Sequence, residues 1–306
     1  MSAETYTVVG LGELLWDVFP EGQQLGGAPA NFAYMTTLLG DTGIVASRVG
    51  EDDLGREAKQ RLQTLGLQTS YLQGDANHAT GTVKVDVDPA GQPTFKIATP
   101  VAWDFFEWTP QWRSLAHQAH AVCFGSLAQR CSQSRETIRS FLKSVRAGTT
   151  RVFDVNLRQS FYSAETLSES AALAEIIKVN HEELPVVAKL LGLPSIYDEK
   201  RAAQWLRQTY GSKLVCITRG AKGSLVVSED EVSEHSGYRV YVADTVGAGD
   251  AFTAALVYHY LRHASASTLN EAANRMGAWV ASQTGATPAK DPIQLEKIRT
   301  AIGREE

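Results

Sequence analysis

The stretch from Asp244 to Asp250 reads DTVGAGD and runs directly into AFTAALVYHYLRH. Small residues in the first turn and an apolar body mark the second part as a buried helix. Gly247, Ala248 and Gly249 therefore form a flexible loop that opens a helix. Their N–H groups can converge on an anion, and the helix dipole favours negative charge at that end. Asp250 sits at the same place. An anion bound there would repel its carboxylate, so the acid needs a reason. One reason is general-base chemistry: taking a proton from a hydroxyl as that oxygen attacks phosphorus. The other is local, because the dipole favours an acid in any first helical turn.

Other chemical patterns fail. GxxxxGK[ST] and GxSxG are absent, and His181–Pro185 reads HEELP rather than HExxH. Gly10 and Gly12 begin a dinucleotide fingerprint, but Leu15 stands where its third glycine belongs. The seven histidines form no metal-binding spacing. These absences disfavour simple P-loop ATPases, serine esterases, zinc peptidases and Rossmann dehydrogenases.

The elements that must position the acid are readable from periodicity. A β-branched strand is expected at Thr5–Leu11, and LGGAPANFAYMTTLLG reads as a loop feeding a helix, with Pro29 in its first turn. A strand near Gly43–Val49 and a helix near Leu54–Leu65 follow. Residues Thr80–Pro100 read as a hairpin turning at DPAGQP, with Val83, Val85 and Val87 alternating with polar neighbours. That pattern does not suit a buried parallel sheet, so it belongs to a small separate layer. From about residue 115, strands alternate with helices. The strands are expected at Ala121–Gly125, Arg151–Val155, Ile176–Val179, Leu214–Thr218 and Gly223–Val227. The helices are expected at Ser134–Val145, His181–Leu191, Glu199–Tyr210, Ala251–Leu261 and Leu269–Gln283. Such alternation implies a doubly wound α/β domain, with ligands outside the carboxyl ends of the strands.

Composition narrows the partners. The 306 residues carry 29 Lys+Arg against 34 Asp+Glu, a formal charge of -5, so no basic footprint for nucleic acid exists. At 43% hydrophobic residues the chain can bury a core without disulfide or metal staples. Cys123, Cys131 and Cys216 are odd in number and lack CxxC spacing, which suggests reduced thiols in a cytosolic protein. No signal peptide and no apolar run of about 18 residues is evident, so a cytoplasmic protein without a membrane partner is expected.

DTVGAGDAF resembles the signature of the ribokinase/PfkB family of carbohydrate kinases. GELLWD with LGGAPANFA resembles that family's sugar-binding opening, and FDVNLR the FDxNxR segment of its fructokinase-like members. VNHEEL resembles its NxxE element, and ITRGAKGS its nucleotide-binding turn. The order holds from Gly10 to Pro288. The resemblance implies one ribokinase-like kinase domain over residues 1–306. This is a three-layer α/β sandwich with a mostly parallel central sheet and a small β-sheet lid from about 13–30 and 78–103. It further implies transfer of the γ-phosphoryl group of ATP, with Mg2+, to a primary hydroxyl of a small sugar, fructose first. Ribose, 2-keto-3-deoxygluconate, a nucleoside and a phosphorylated sugar are alternatives. A catalytically silent sugar-binding regulator on the same fold is another. A homodimer through the lid is expected, because pairing would bury an exposed sheet face or edge.

By the same resemblance Asp250 is the base, and the Gly247, Ala248 and Gly249 amides hold the transferring group. Asp17 takes sugar hydroxyls, for its two oxygens suit a vicinal diol; otherwise it is a turn residue before Pro20. Gly26 and Gly27 let backbone approach the sugar, or simply turn the chain into a helix. Asn31 offers a donor and an acceptor to hydroxyls. Arg158 forks onto hydroxyls or phosphate, or forms a surface ion pair; Asp154 and Asn156 orient it or line the pocket. Arg48 and Arg130 are the other cations that a phosphorylated sugar would need. Asn180 and Glu183 form a near capping box, and by resemblance position magnesium-bound water and the nucleotide phosphates. Thr218, Arg219, Gly220 and Gly223 form the turn along the nucleotide, with Gly249 and Asn274 completing that site. Asp244, Val246 and Gly285 are the expected neighbourhood of a monovalent cation such as K+. Trp16, Trp103, Phe105 and Phe106 pack over the sugar or in the core.

Overall fold

The computed structural model describes residues 4–19, 22–87, 93–193 and 198–303. Its strands are β1 (Thr7–Leu11), β2 (Leu15–Phe19), β3 (Gly22–Gly26), β4 (Thr42–Gly50), β5 (Leu72–Asp75), β6 (Gly81–Val87), β7 (Pro93–Ile97), β8 (Ala121–Phe124), β9 (Thr150–Asp154), β10 (Ile176–Asn180), β11 (Leu214–Thr218), β12 (Ser224–Val227) and β13 (Val232–His235). Its helices are α1 (Ala28–Leu39), α2 (Asp53–Thr64), α3 (Pro110–Gln118), α4 (Ser132–Lys143), α5 (Ala164–Leu173), α6 (Leu184–Leu191), α7 (Glu199–Tyr210), α8 (Ala248–Tyr260), α9 (Ala266–Ala281) and α10 (Pro292–Arg299).

The main sheet has nine strands in the order β13-β12-β11-β10-β9-β8-β1-β4-β5. From β11 to β5 every neighbouring pair is parallel, and β12 and β13 extend that edge antiparallel. A strand turns successive side chains to opposite faces. Val8, Val152, Ile176 and Cys216 therefore join one apolar cluster, with residues of α1, α8 and α9. Val9, Phe153, Ile177 and Ile217 join the other, with residues of α3 to α7. Both faces are covered, as the apolar strands require. The expected three-layer α/β sandwich with a mostly parallel central sheet is thus observed.

A separate four-stranded sheet has the order β3-β2-β6-β7. Its outer pairs are antiparallel and its central pair, β2 with β6, is parallel. The expected hairpin is β6 and β7; its turn over residues 88–92 lies outside the described residues. Strands β2 and β3 fall within residues 13–30, the first stretch expected to form the lid. LLWDVF does not alternate because Leu14, Leu15 and Trp16 are all buried. The Trp16 indole also donates to the Leu54 carbonyl at 3.0 Å.

Gly10 has a structural reason that is independent of any dinucleotide. A Cβ there would come within 2.1 Å of the Pro29 carbonyl oxygen. The first turn of α1 presses directly onto β1, and only glycine permits it. Cys123 and Cys216 are buried free thiols and Cys131 is a partly exposed one. No helix among the described residues is long and apolar enough to cross a membrane.

Candidate active site

The site forms where the carboxyl ends of β1, β8, β9 and β10 meet the starts of α1 and α8. Gly247 caps α8 with φ 76°, a left-handed conformation natural to glycine. A Cβ there would lie 2.9 Å from Ala286 Cα. Asp250 follows in the first turn of α8. Its Oδ2 accepts a hydrogen bond of 2.8 Å from Asn31 Nδ2. Asn31 is buried in the first turn of α1. Gly27 opens that helix at φ 112°, and a Cβ on it would strike the Glu13 carbonyl oxygen at 2.5 Å. Two helix N-termini therefore face each other through an amide and a carboxylate. Burial pushes the Asp250 pKa up to about 6, helped by the Asp154 charge. The Asn31 amide, Lys178 and Arg158 restrain that rise.

Beneath Asp250 lies a buried ionic cluster. Register pairs Lys178 of β10 with Asp154 of β9. The Lys178 ammonium reaches both Asp154 oxygens, at 3.0 and 3.1 Å. The Thr253 hydroxyl lies 3.0 Å from Asp154 Oδ2 and 3.0 Å from the Gly249 carbonyl, either of which can take its proton. A small cavity of about 20 Å3 is lined by Glu13, Cys123, Asp154, Asn156 and Asp250 among others. That is room for about one water molecule. Glu13 is 4% exposed, and its Oε2 has no hydrogen-bond partner among the described residues. Burial pushes its pKa up to about 7, against the pull of nearby main-chain N–H groups and Arg158.

Asp17 stands on β2 with its pKa raised to about 6 by burial and restrained by Arg158. A Cβ on Gly26 would sit 2.5 Å from Asp17 Oδ2, so glycine leaves that carboxylate uncovered. Arg158 is exposed and, among the described residues, donates to its neighbour's carbonyl, Leu157 O, at 3.1 Å. Its charge acts on Glu13, Asp17 and Asp250. Asn156, just before it, has φ 44° where β9 ends. Arg48 and Arg130 are engaged elsewhere. Arg48 binds Asp75 at 3.0 Å and Glu107 at 2.7 Å. Arg130 chelates Asp104 at 2.7 Å twice and lies 3.8 Å over the Trp103 ring. Trp16, Trp103 and Phe106 belong to the buried core.

Asn180 and Glu183 form the capping box reciprocally. Asn180 Oδ1 accepts from the Glu183 amide at 2.8 Å, and Glu183 Oε2 from the Asn180 amide at 2.9 Å. Glu183 Oε1 also accepts from the Leu157 amide at 2.8 Å. That bond ties the FDVNLR segment to the end of β10. Thr218 ends β11, and its carbonyl accepts from the His181 amide at 2.8 Å. Arg219 is held by Glu199 and Glu234. Gly220 has φ 57°. Gly223 has φ 81°, and a Cβ on it would meet the His235 carbonyl oxygen at 1.9 Å. The Asn274 amide donates to Ser224 Oγ at 2.7 Å, and the Asn270 carbonyl is 2.8 Å away.

Asp244, Val246 and Gly285 come together. The Asp244 carboxylate accepts from the Val246 amide at 2.9 Å and the Gly285 amide at 3.1 Å. Asp17, Gly26, Gly27, Asn31, Arg158, Asp250 and the Gly247–Gly249 loop thus gather at one end of the sheet. The Thr218–Gly223 turn and Asn274 form a neighbourhood around the β11–β12 edge. Lys178 and Thr253 belong to no expected motif. The one signal for Lys178 was a lysine inside the apolar strand IIKVN.

The sequence matches the pfkB family carbohydrate kinase profile over residues 11–293. A fructokinase of Escherichia coli is 32% identical over 321 residues, covering 97% of this chain and 100% of that one. A double mutant of the Vibrio cholerae O395 fructokinase, in a fructose-, ADP- and potassium-bound form, superposes with a TM-score of 0.80. It is 29% identical, over 96% of this chain and 98% of that one. Aminoimidazole riboside kinase from Salmonella enterica, complexed with aminoimidazole riboside and an ATP analogue, gives a TM-score of 0.79 at 27% identity. That match covers 96% of this chain and 99% of the other. Fold and site together define a small-molecule kinase of the ribokinase-like class. The chain belongs to the pfkB family of carbohydrate kinases.

Proposed function

We propose that the protein transfers the γ-phosphoryl group of ATP to a primary hydroxyl of a small neutral sugar, with fructose the first choice. The carrying observation is the Asp250 carboxylate, fixed by Asn31 in the first turn of a glycine-opened helix. Asp17 and Asn31 hold the sugar, with Gly26 and Gly27 leaving room for it. Asp250 takes the proton of the attacking hydroxyl. The amides of Gly247 and Gly249 face the charge that develops on the transferring group, where fixed donors act most strongly; that of Ala248 donates to the Thr245 carbonyl at 3.2 Å and joins them only by leaving it. Arg158 closes the cleft from the FDVNLR side.

ATP lies along the Thr218–Gly223 turn, with Asn274 on the adenine side. Among the described residues no cluster of three or more His, Cys, Asp or Glu forms a metal cage. That suits magnesium, which keeps several waters and is held mainly by phosphates and one or two carboxylates. Glu183 fits that role through water, since each of its oxygens carries one N–H bond and keeps a second lone pair. Bound magnesium neutralises phosphate charge. The Asp244–Gly285 junction, with Val246, is the place for a monovalent cation such as K+. The small sheet acts as a lid that excludes water, a competing acceptor. Two lids pair in a homodimer, and the enzyme works in the cytoplasm.

A neutral substrate is favoured because Arg48 and Arg130 are already bound to carboxylates. Only Arg158 among the three expected cations remains for a phosphate. Fructose is favoured by the fructokinase relatives; an aminoimidazole riboside is the second substrate to try. A silent regulator is disfavoured, since base and glycine loop are both intact. The test is coupled ADP release across ketoses, aldoses, sugar acids and nucleosides. Fructose as the best substrate supports the reading. No sugar-dependent release with any of them overturns it.

A further inference from the structure

We propose that Lys178 is a positioning residue for phosphoryl transfer: it clamps Asp154 under the first turn of α8, so that Asp250 and the glycine loop keep their places. The inference rests on Asp250 being the base.

The geometry runs through four groups. The Lys178 ammonium holds both Asp154 oxygens, at 3.0 and 3.1 Å. Asp154 Oδ2 lies 3.0 Å from the hydroxyl of Thr253, which is also 3.0 Å from the Gly249 carbonyl. Gly249 is in turn beside the ammonium: a Cβ on it would lie 3.3 Å from Lys178 Nζ. Lys178 is 7% exposed and Asp154 is 6% exposed. The cluster therefore joins β9 and β10 to the loop and first turn of α8 by charge and hydrogen bonds. Without the ammonium, Asp154 would be a buried, uncompensated carboxylate next to the base. Breaking such a pair from one side is far more disruptive than removing both partners.

Several charges face this cluster. Asp154 and Glu13 add negative charge near Asp250, and Lys178 and Arg158 add positive charge. Glu183 faces Lys178, as do the Cys123 and Cys216 thiols. Burial would drive the proton from Lys178, but Asp154, Glu183 and Asp250 outweigh it and keep the ammonium charged. Its charge favours an ionised Asp250, whereas that of Asp154 opposes it.

The test compares Lys178→Met, Asp154→Asn and the double variant in the full enzyme, following kcat and kcat/KM against pH. Lys178→Met should lower kcat about tenfold or more, with ATP KM little changed. Its acid limb should move to higher pH, by about one unit. Asp154→Asn leaves the ammonium unopposed, so its limb should move to lower pH. The double variant should recover part of kcat, with a limb close to the wild type. A lysine that merely stabilises the fold would lower melting temperature without moving either limb. Unmoved limbs in both single variants overturn the proposal, as does a double variant worse than Lys178→Met. If Lys178→Met does not fold, Asp154→Asn and the double variant still decide. A wild-type enzyme with no sugar-dependent turnover would instead remove the proposed function itself.

Discussion

Asn31 and Asp250 are 219 residues apart in the chain, yet the amide of one donates to the carboxylate of the other at 2.8 Å. The bond joins the first turn of α1 to the first turn of α8. It also favours the charged, proton-accepting form of the acid.

Asp250→Asn should cut turnover by about 100-fold to 10,000-fold, the usual range for losing a general base. Sugar and nucleotide should still bind. Calorimetry alongside steady-state kinetics checks both, and near-normal turnover would show that another group takes the proton.

The acid limb of kcat/KM should fall near pH 6, because Asp250 titrates at about 6 rather than 3.8. Asn31→Ala removes a bond that lowers this value, so the limb should move to higher pH. A limb left in place would separate Asn31 from the base.

Folding stability should respond with the opposite sign to activity. Asp17 and Asp250 both titrate at about 6 when folded instead of 3.8. Between those values the folded chain holds protons that the unfolded chain has released. These two groups therefore favour the fold at pH 4 and lose that contribution as pH rises through 6. Denaturation of Asp17→Asn and Asp250→Asn should show a smaller fall in stability across this window than the wild type.

Asp17→Ala should raise sugar KM about tenfold or more by removing a charged hydroxyl acceptor, with little change in ATP KM. Gly26→Ala should act on the same parameter, because its methyl would fall 2.5 Å from Asp17 Oδ2. An effect confined to ATP would relocate the sugar pocket.

Gly247→Ala should lower kcat and melting temperature together. It combines a left-handed φ of 76° with a Cβ 2.9 Å from Ala286 Cα. Scanning calorimetry and turnover on one preparation check it.

Local motifs made much of this site legible. DTVGAGD, NxxE and GGAPAN each sit at a helix start, where residue type and backbone geometry coincide. The alternation after residue 115 likewise announced the parallel strands. Lys178 was hidden because its partner is fixed by the register of β9 against β10, not by spacing. The partners of Arg219 were hidden for a related reason: Glu199 and Glu234, which hold it, come from separate elements. Glu13 lay in plain sight beside Gly12, but its unpartnered oxygen emerges only once α1 covers it. The bounds of β2 were obscured by a run of buried residues, Leu14 to Trp16, that erases period-two patterning.

Helix α1 also touches the far side of the cleft. Near its start Asn31 holds Asp250, and one turn on the Tyr34 hydroxyl donates to the Pro288 carbonyl at 2.6 Å. One helix is thereby tied both to the first turn of α8 and to the segment that follows α9. If two ligands bind at these two places, a tilt of α1 would be felt in each, and thermodynamic reciprocity would make them alter one another's affinity by the same factor.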